Sequence, residues 1–200
     1  SLSASGQWQT PLGPLAVDEE LAARLLAEGE GTLADRPDAH AQEHAIEVQL
    51  PFIKYLFPTV RILPIATPPL ASAARAGEHV ARAVQALGRR AVVLGSTDLT
   101  HYGPRYGIAP VGVGEAGLRW AHENDARLLE KAVGMDADGV MAEAQAHHNA
   151  CGPGAVAATI RTAAGLGATE GHLLHYTTSH DVMPQGQPTD LVGYGAIVYV

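Results

Sequence analysis

Helix-like and strand-like segments alternate along the whole chain, and this alternation constrains the fold more than any other feature. Apolar residues at helical spacing predict six helices, at residues 18–28, 42–56, 71–87, 115–133, 137–146 and 151–166. Short apolar runs predict four strands, at residues 60–66, 91–95, 172–178 and 191–200. The alternation predicts a layered α/β domain in which helices cover both faces of a sheet.

Several predicted element ends carry recognisable signals. Asp18 is placed to cap the first helix, and Gly29 is placed to end it. Pro51 lies inside the second helical pattern and should kink or divide that helix. Pro64 favours an edge or strand-end position for the first strand.

The composition is that of one globular domain with no nucleic-acid partner. The 200 residues are 46% apolar and only 17% charged, and the net charge is −8 with no basic stripe. No apolar run approaches bilayer length, and residues 1–7 lack the features of a signal peptide. The single cysteine excludes an intrachain disulfide. We therefore expect a cytoplasmic protein without a membrane partner.

The segment STDLTHYG, which begins at Ser96, follows a predicted buried strand. In layered α/β domains, functional sites collect beyond the carboxyl ends of strands. Asp98 could fix the tautomer of His101 and raise its basicity, as a general base requires. The alternative is a solvated turn in which Asp98 caps a helix and His101 has no function.

The segment EHAIE, which begins at Glu43, lies in the second predicted helix. There His44 and Glu47 are three residues apart and would share a helix face. Histidine is the commonest metal ligand, and a carboxylate can hold its second nitrogen. The alternative is a hydrogen-bonded histidine in the first turn of a helix.

The segment HHNACG brings two histidines close to the only cysteine. His147 and His148 precede Cys151 by four and three residues. A thiolate and an imidazole could share a metal, or they could form a Cys–His nucleophilic pair. The alternative is a helix end with surface histidines and a buried cysteine.

A fourth segment, TTSHDV, follows the third predicted strand. Its adjacent His180 and Asp181 are weak candidates, because neighbours on an extended chain face opposite ways. An ordinary turn is the simpler interpretation. Common catalytic signatures such as a phosphate loop, a dinucleotide glycine fingerprint, HExxH and GxSxG are absent from the sequence.

Four segments, in this order, resemble the Memo family: EHAIEVQLPF, STDLTHYG, HNACG and GYGAIVY. Relatives of this kind in bacteria and archaea are called protein B of the AmmeMemoRadiSam system. The resemblance therefore implies a radical-SAM protein and an AMMECR-type protein as partners. It also implies a mixed central sheet flanked by helices, as in the class III extradiol dioxygenases.

The resemblance also assigns roles to individual residues. His44 and Cys151 match metal ligands of the family. His101 matches the pocket histidine that serves as acid and base in the dioxygenase relatives, and Asp98 matches a pocket aspartate.

The chain departs from the family pattern in two places. The family's first metal histidine lies before the segment SLSASG, with which this sequence begins. We therefore expect residues 1–200 to form a single Memo-like domain without its N-terminal strand and that histidine, which would expose a sheet edge. Second, His180 stands where many relatives have glycine.

The resemblance implies a mononuclear metal site and a non-haem, dioxygenase-like oxidoreductase that acts on an unknown small molecule. Iron(II) or copper would be the favoured ion, with zinc as another candidate. One alternative is a non-catalytic metal- or ligand-binding adaptor that works with a radical-SAM partner. A third is a hydrolase that uses Cys151 and His148.

Overall fold

The chain adopts a mixed α/β architecture. The computed structural model describes residues 1–29 and 31–200. The helices are α1 (Glu19–Glu28), α2 (Leu50–Leu56), α3 (Ser72–Ala86), α4 (Glu115–Val133), α5 (Ala137–His147), α6 (Pro153–Gly165) and α7 (Ser179–Val182). The strands are β1 (Gln7–Trp8), β2 (Leu15–Ala16), β3 (His101–Tyr102), β4 (Gly171–Thr178) and β5 (Leu191–Tyr199). The α/β class predicted from the sequence is therefore confirmed.

The strands form two small sheets, and every strand pair in them is antiparallel. β1 pairs with β2, and a second sheet has the order β3-β5-β4. In the second sheet His101 lies opposite Val192, and Thr178 lies opposite Gly193. The C-terminal strand therefore lies at the centre of this sheet and brings β3 and β4 together.

Capping explains where α1 begins and ends. The side chain of Asp18 accepts a hydrogen bond from the Leu21 N–H at 3.2 Å, and the Gly29 N–H donates to the Leu25 carbonyl at 2.8 Å. These contacts satisfy backbone groups that a helix end leaves free. The predicted cap at Asp18 and the predicted end at Gly29 are confirmed. Across residues 1–29 and 31–200, no helix is both long and apolar enough to cross a bilayer.

The helix predicted at residues 42–56 is wrong in its first half. Residues 41–46 form turns, a short 3-10 helix covers Glu47–Gln49, and α2 follows. The carboxylate of Glu43 accepts the Ile46 N–H at 3.1 Å and so closes a turn instead. Pro51 lies in the first turn of α2, where its missing N–H costs nothing, so it starts the helix rather than kinking it.

The strand predicted at residues 60–66 is reduced to two isolated bridges. Ile62 pairs with Val17, and Ile65 pairs with Leu2. Single bridges tie this segment to the N-terminal part of the chain without forming a ladder. The β-branched composition indicates an extended conformation but does not supply a partner strand.

The strand predicted at residues 91–95 is wrong, both in pairing and in burial. No described backbone group is hydrogen bonded to this run, and Val92 is 93% exposed. A strand needs a neighbour for its N–H and C=O groups, and local composition cannot provide one. Together with α4, α6 and β5, the run lines a largely apolar cleft of about 630 Å³.

The largest core lies between α4, α5 and α6. Its fully buried members include Leu128, Val140 and Ile160, and Leu99 reaches it from the segment before β3. A smaller core packs Tyr102 of β3 against Ala121 of α4 and Leu191 of β5. Both cores therefore anchor the residues that flank His101 against α4.

Helices α3 and α6 approach each other closely at Gly77. A Cβ atom there would collide with the Ala158 carbonyl oxygen, so only glycine fits. The buried hydroxyl of Thr162 lies 3.0 Å from the Gly77 carbonyl oxygen and 2.8 Å from that of Ala158. This hydroxyl thus links the two helices within an otherwise apolar contact.

The buried carboxylate of Asp125 ties α4 to the sheet. It accepts the Thr100 N–H and the Tyr176 O–H, each at 2.8 Å. Burial raises the pKa of Asp125 above its ordinary value of 3.8, although these hydrogen bonds oppose the shift. Burial, together with the neighbouring Asp125 carboxylate, also raises the pKa of Tyr176. The Tyr176 phenol therefore stays protonated and donates.

We expect Leu128→Ala to lower the free energy of unfolding by about 2–5 kcal/mol, because Leu128 is fully buried and truncation leaves a cavity. Leu174→Ala on β4 is the matched control, since Leu174 is largely exposed and should change stability by less than about 0.5 kcal/mol. Urea denaturation measures the free energy of unfolding of both variants. Equal losses in the two variants would contradict the assigned core.

A second prediction concerns pH. Because the folded pKa of Asp125 is raised, its stabilising contribution is complete below the ordinary value of 3.8 and is lost as the pH rises through the folded pKa. Asp125→Asn does not titrate, so its free energy of unfolding should fall less steeply with rising pH than that of the parent. Urea unfolding from about pH 4 to 7 tests this. Parallel pH profiles would show that the carboxyl is not perturbed.

Candidate metal centre

Three potential metal ligands converge at the edge of the second sheet. One ligand atom from each of Asp98, His101 and Cys151 lies within 4.8 Å of the other two. Asp98 and His101 are half-buried, and Cys151 is exposed. The cluster therefore lies at the surface, where an ion and a further molecule can reach it.

Burial of the residues between them fixes Asp98 and His101. Leu99 and Thr100 are buried, at 5% and 0% exposure. The segment then enters β3, where His101 lies opposite Val192 of β5. With its centre held in the interior, the segment leaves its two outer side chains close together. Nε2 of His101 lies 3.3 Å from Oδ2 of Asp98.

Cys151 is placed by the turn between α5 and α6. His148 ends α5 in the left-handed region, at φ 53°, and Asn149 is fully buried just after it. Pro153 then fits the first turn of α6, where no N–H is needed. The backbone is therefore fixed on both sides of Cys151, and the thiol is held at a defined position.

Reciprocal hydrogen bonds join Cys151 to Asp98. The Asp98 N–H donates to Sγ at 3.2 Å, and the Cys151 N–H donates to the Asp98 carbonyl oxygen at 3.2 Å. The Thr97 hydroxyl accepts the Gly152 N–H at 2.9 Å and lies 3.7 Å from the Cys151 sulfur, and it donates to the Asp98 carbonyl in its own segment at 2.8 Å. These bonds hold residues 97–101 and residues 147–152, the two ligand segments, side by side.

Two aromatic residues border the cluster. The ring of His101 packs against that of Tyr106, with centroids 5.0 Å apart. Burial, followed by the charge of Asp98, raises the pKa of Tyr194 on β5. The Tyr194 phenol therefore stays protonated at neutral pH.

The donor set fits a transition-metal ion. Thiolate, imidazole and carboxylate are the ligands that zinc, iron and copper take in proteins. Three protein ligands also leave at least one coordination position for another molecule. The arrangement can thus hold an ion in an open, reactive form.

His44 lies apart from this cluster. Within the described residues, it does not belong to the group of converging ligand atoms, and its side chain is exposed on irregular chain between two turns. The helix face that His44 and Glu47 were predicted to share is absent, because His44 precedes the 3-10 helix that begins at Glu47. The assignment of His44 as a metal ligand stays a prediction from the resemblance.

The Cys–His nucleophilic pair is not formed. His147 lies 3.8 Å from the Glu143 carboxylate, and His148 is exposed at the end of α5. Within the described ranges, neither imidazole is hydrogen bonded to Cys151, whose sulfur accepts the Asp98 N–H. The geometry therefore favours metal ligation over hydrolysis.

The His180–Asp181 segment forms a helix cap. Thr178 and Asp181 make reciprocal side-chain-to-backbone bonds at the start of α7. The Asp181 carboxylate also lies 3.3 Å from Nε2 of His122 on α4. The segment thus forms one capped helical turn and has a structural role, as the simpler interpretation of the sequence predicts.

Sequence reasoning missed one residue that bears on the site. Asn124 lies in the buried face of α4, and its Nδ2 donates to the Thr100 hydroxyl at 2.9 Å and to the His147 carbonyl at 3.2 Å. It therefore contacts both ligand segments. The available signal was a polar residue at helical spacing between Ala121 and Leu128, both of which face the core.

Comparison with known proteins supports the resemblance seen in the sequence. The family model described as Memo-like protein matches residues 1–198. A MEMO1 family protein of Pyrococcus furiosus is 41% identical over 96% of this chain and 68% of its own length. Another, of Methanopyrus kandleri, is 37% identical over 97% of this chain and 64% of its own length.

A MEMO1 family protein of Thermococcus onnurineus is 40% identical, and the match covers 98% of this chain and 69% of that protein. The chain thus spans about two thirds of the length of the curated relatives that it matches. A family match over nearly the whole chain, with relatives at this level of identity, shows that the chain belongs to the Memo family.

Proposed function

We propose that Asp98, His101 and Cys151 bind a single transition-metal ion. The observation that carries this proposal is the convergence of three different donor types within 4.8 Å, from two segments that are hydrogen bonded to each other. Asp98 and Cys151 are 53 residues apart in sequence, so their proximity is a product of the fold. Family membership supports a metal site that includes Cys151, although the resemblance implies His44 rather than His101 and Asp98 as its further ligand.

The thiolate narrows the choice of ion. Sulfur is a softer ligand than carboxylate oxygen, which favours copper and zinc, and iron(II) also accepts this mixed set. Metal binding by Cys151 requires its thiol to stay reduced. We therefore include a cytoplasmic location in the proposal, because thiols stay reduced there.

We propose further that the domain is a non-haem, metal-dependent oxidoreductase acting on a small molecule, with a fold related to the class III extradiol dioxygenases. A bound ion would supply a Lewis-acidic centre with an open position for substrate. Exposure of Cys151 supports access to that position. The Tyr194 phenol, kept protonated beside Asp98, could orient a polar group of the substrate.

His101 and Asp98 have two roles under this proposal, and one ring nitrogen of His101 cannot serve in both. The resemblance assigns His101 to acid–base catalysis, with Asp98 holding its ring, and the 3.3 Å contact supports that arrangement. Convergence on Cys151 supports ligation instead. A nitrogen that binds a metal cannot also carry the transferred proton, so metal content distinguishes the two roles.

An adaptor function is the second candidate, and the surface of α2 favours it. Phe52 is 70% exposed and Tyr55 is 76% exposed, and Leu56 and Phe57 extend the apolar surface. Contiguous exposed apolar residues mark interaction sites. Under this candidate the chain would bind a radical-SAM or AMMECR-type partner through this surface, without catalysis of its own.

We expect the purified chain to hold close to one equivalent of zinc, iron or copper after anaerobic loading and gel filtration, measured by mass spectrometry. Cys151→Ser and His101→Ala should each retain less than about a tenth of it, because each removes one of only three protein ligands. His175→Ala on β4 is the control, an exposed histidine outside the cluster. Full metal content in both cluster variants would contradict the proposed site.

His44→Ala separates the two candidate ligand sets. Because His44 lies outside the converging group, the variant should keep its metal. The measurement is the same metal determination, made alongside Cys151→Ser. Loss of metal from His44→Ala would support the ligand set implied by the resemblance and would show that Asp98, His101 and Cys151 do not bind the ion alone.

A further inference from the structure

We propose that Asn124 and Thr100 form a positioning pair that sets the separation between the two ligand segments. The pair would position the ligands of the proposed metal centre, so the functional meaning of this inference rests on the proposed function. Neither residue touches the converging ligand atoms. Their effect on the site would act through the backbone of the segments that carry Asp98, His101 and Cys151.

The geometry of Asn124 makes it a bridge between the segments. One amide nitrogen donates to the hydroxyl of Thr100, next to His101, and to the carbonyl of His147, four residues before Cys151. Asn124 is 1% exposed and Thr100 is fully buried. Buried hydrogen bonds of this kind are costly to leave unmade, so they fix the distance between the groups they join.

Further buried contacts reinforce the pair. Asp125, the next residue on α4, accepts the Thr100 N–H at 2.8 Å. Asn149 donates from its side chain to the Asn124 carbonyl at 2.8 Å and to Glu143 at 3.1 Å. Both ligand segments are thus attached to the same turn of α4, which is rigid because it packs in the main core.

The direct contacts between the segments are more accessible to solvent. They are the reciprocal bonds between Asp98 and Cys151 and the contacts of the Thr97 hydroxyl with the Gly152 N–H and the Cys151 sulfur. The contacts to the sulfur are exposed, so water competes for the same groups. The buried bridge would continue to hold the segments together when those exposed bonds open.

A matched pair of substitutions tests this inference. Thr100→Val removes the hydroxyl that Asn124 contacts, and Thr162→Val removes an equally buried hydroxyl between α3 and α6. Thr162 lies nine residues into α6 from Pro153, about 14 Å along the helix axis. Both variants should lose some global stability, but only Thr100→Val should loosen the ligand segments.

The primary readout is amide hydrogen exchange of Cys151 in the metal-free chain, since this N–H donates to Asp98 across the two segments. We expect Thr100→Val to exchange at least tenfold faster than Thr162→Val. The dissociation constant for Zn²⁺, measured by competition, should rise at least tenfold in Thr100→Val and less than twofold in Thr162→Val.

Equal exchange rates at Cys151 in the two variants would overturn the inference. If Thr100→Val does not fold, as judged by circular dichroism, Asn124→Ala, which removes the same hydrogen bond from its other side, takes its place and is held to the same criteria. Failure of the parent chain to bind Zn²⁺ would contradict the proposed function. The exchange rates would still decide whether the pair positions the segments, so the two failures are distinguishable.

Discussion

The arrangement of the ligand segments depends on a small set of polar side chains buried on α4. Asn124 and Asp125 lie among the apolar residues of that helix and are hydrogen bonded to Thr100, Tyr176 and the end of α5. Buried polar groups are tolerated only when they are paired, so they specify one arrangement of their partners. Without them, the apolar cores would still form, but the segments before β3 and before α6 would not be fixed relative to each other.

Much of the fold could be predicted because its elements have strong local signals. Helices α3 and α4 carry long amphipathic patterns, α5 and α6 are rich in alanine, and β4 and β5 are apolar runs, so all six appear close to their predicted positions. The strands predicted at 60–66 and 91–95 are wrong for a common reason. Their composition favours an extended backbone, but pairing depends on a neighbour that is remote in sequence and that local composition cannot indicate.

The candidate site was predictable in its parts but not as a whole. Motif content identified Asp98, His101 and Cys151, yet nothing in their spacing shows that residues 53 positions apart meet. The turn that removes His44 from a helix depends on the Glu43 carboxylate, which competes locally for backbone N–H groups. Asn124 was overlooked because it lies in a run of polar residues, residues 122–125, and polar residues in a helix usually face solvent.

The central claim is that Cys151 and His101 bind one metal ion together. X-ray absorption spectroscopy at the metal edge, on the chain loaded with Zn²⁺, tests it most directly. We expect one sulfur scatterer at about 2.3 Å, together with nitrogen or oxygen scatterers at about 2.0–2.1 Å, loss of the sulfur in Cys151→Ser and loss of an imidazole nitrogen in His101→Ala. A spectrum with no sulfur scatterer in the parent chain would contradict this claim.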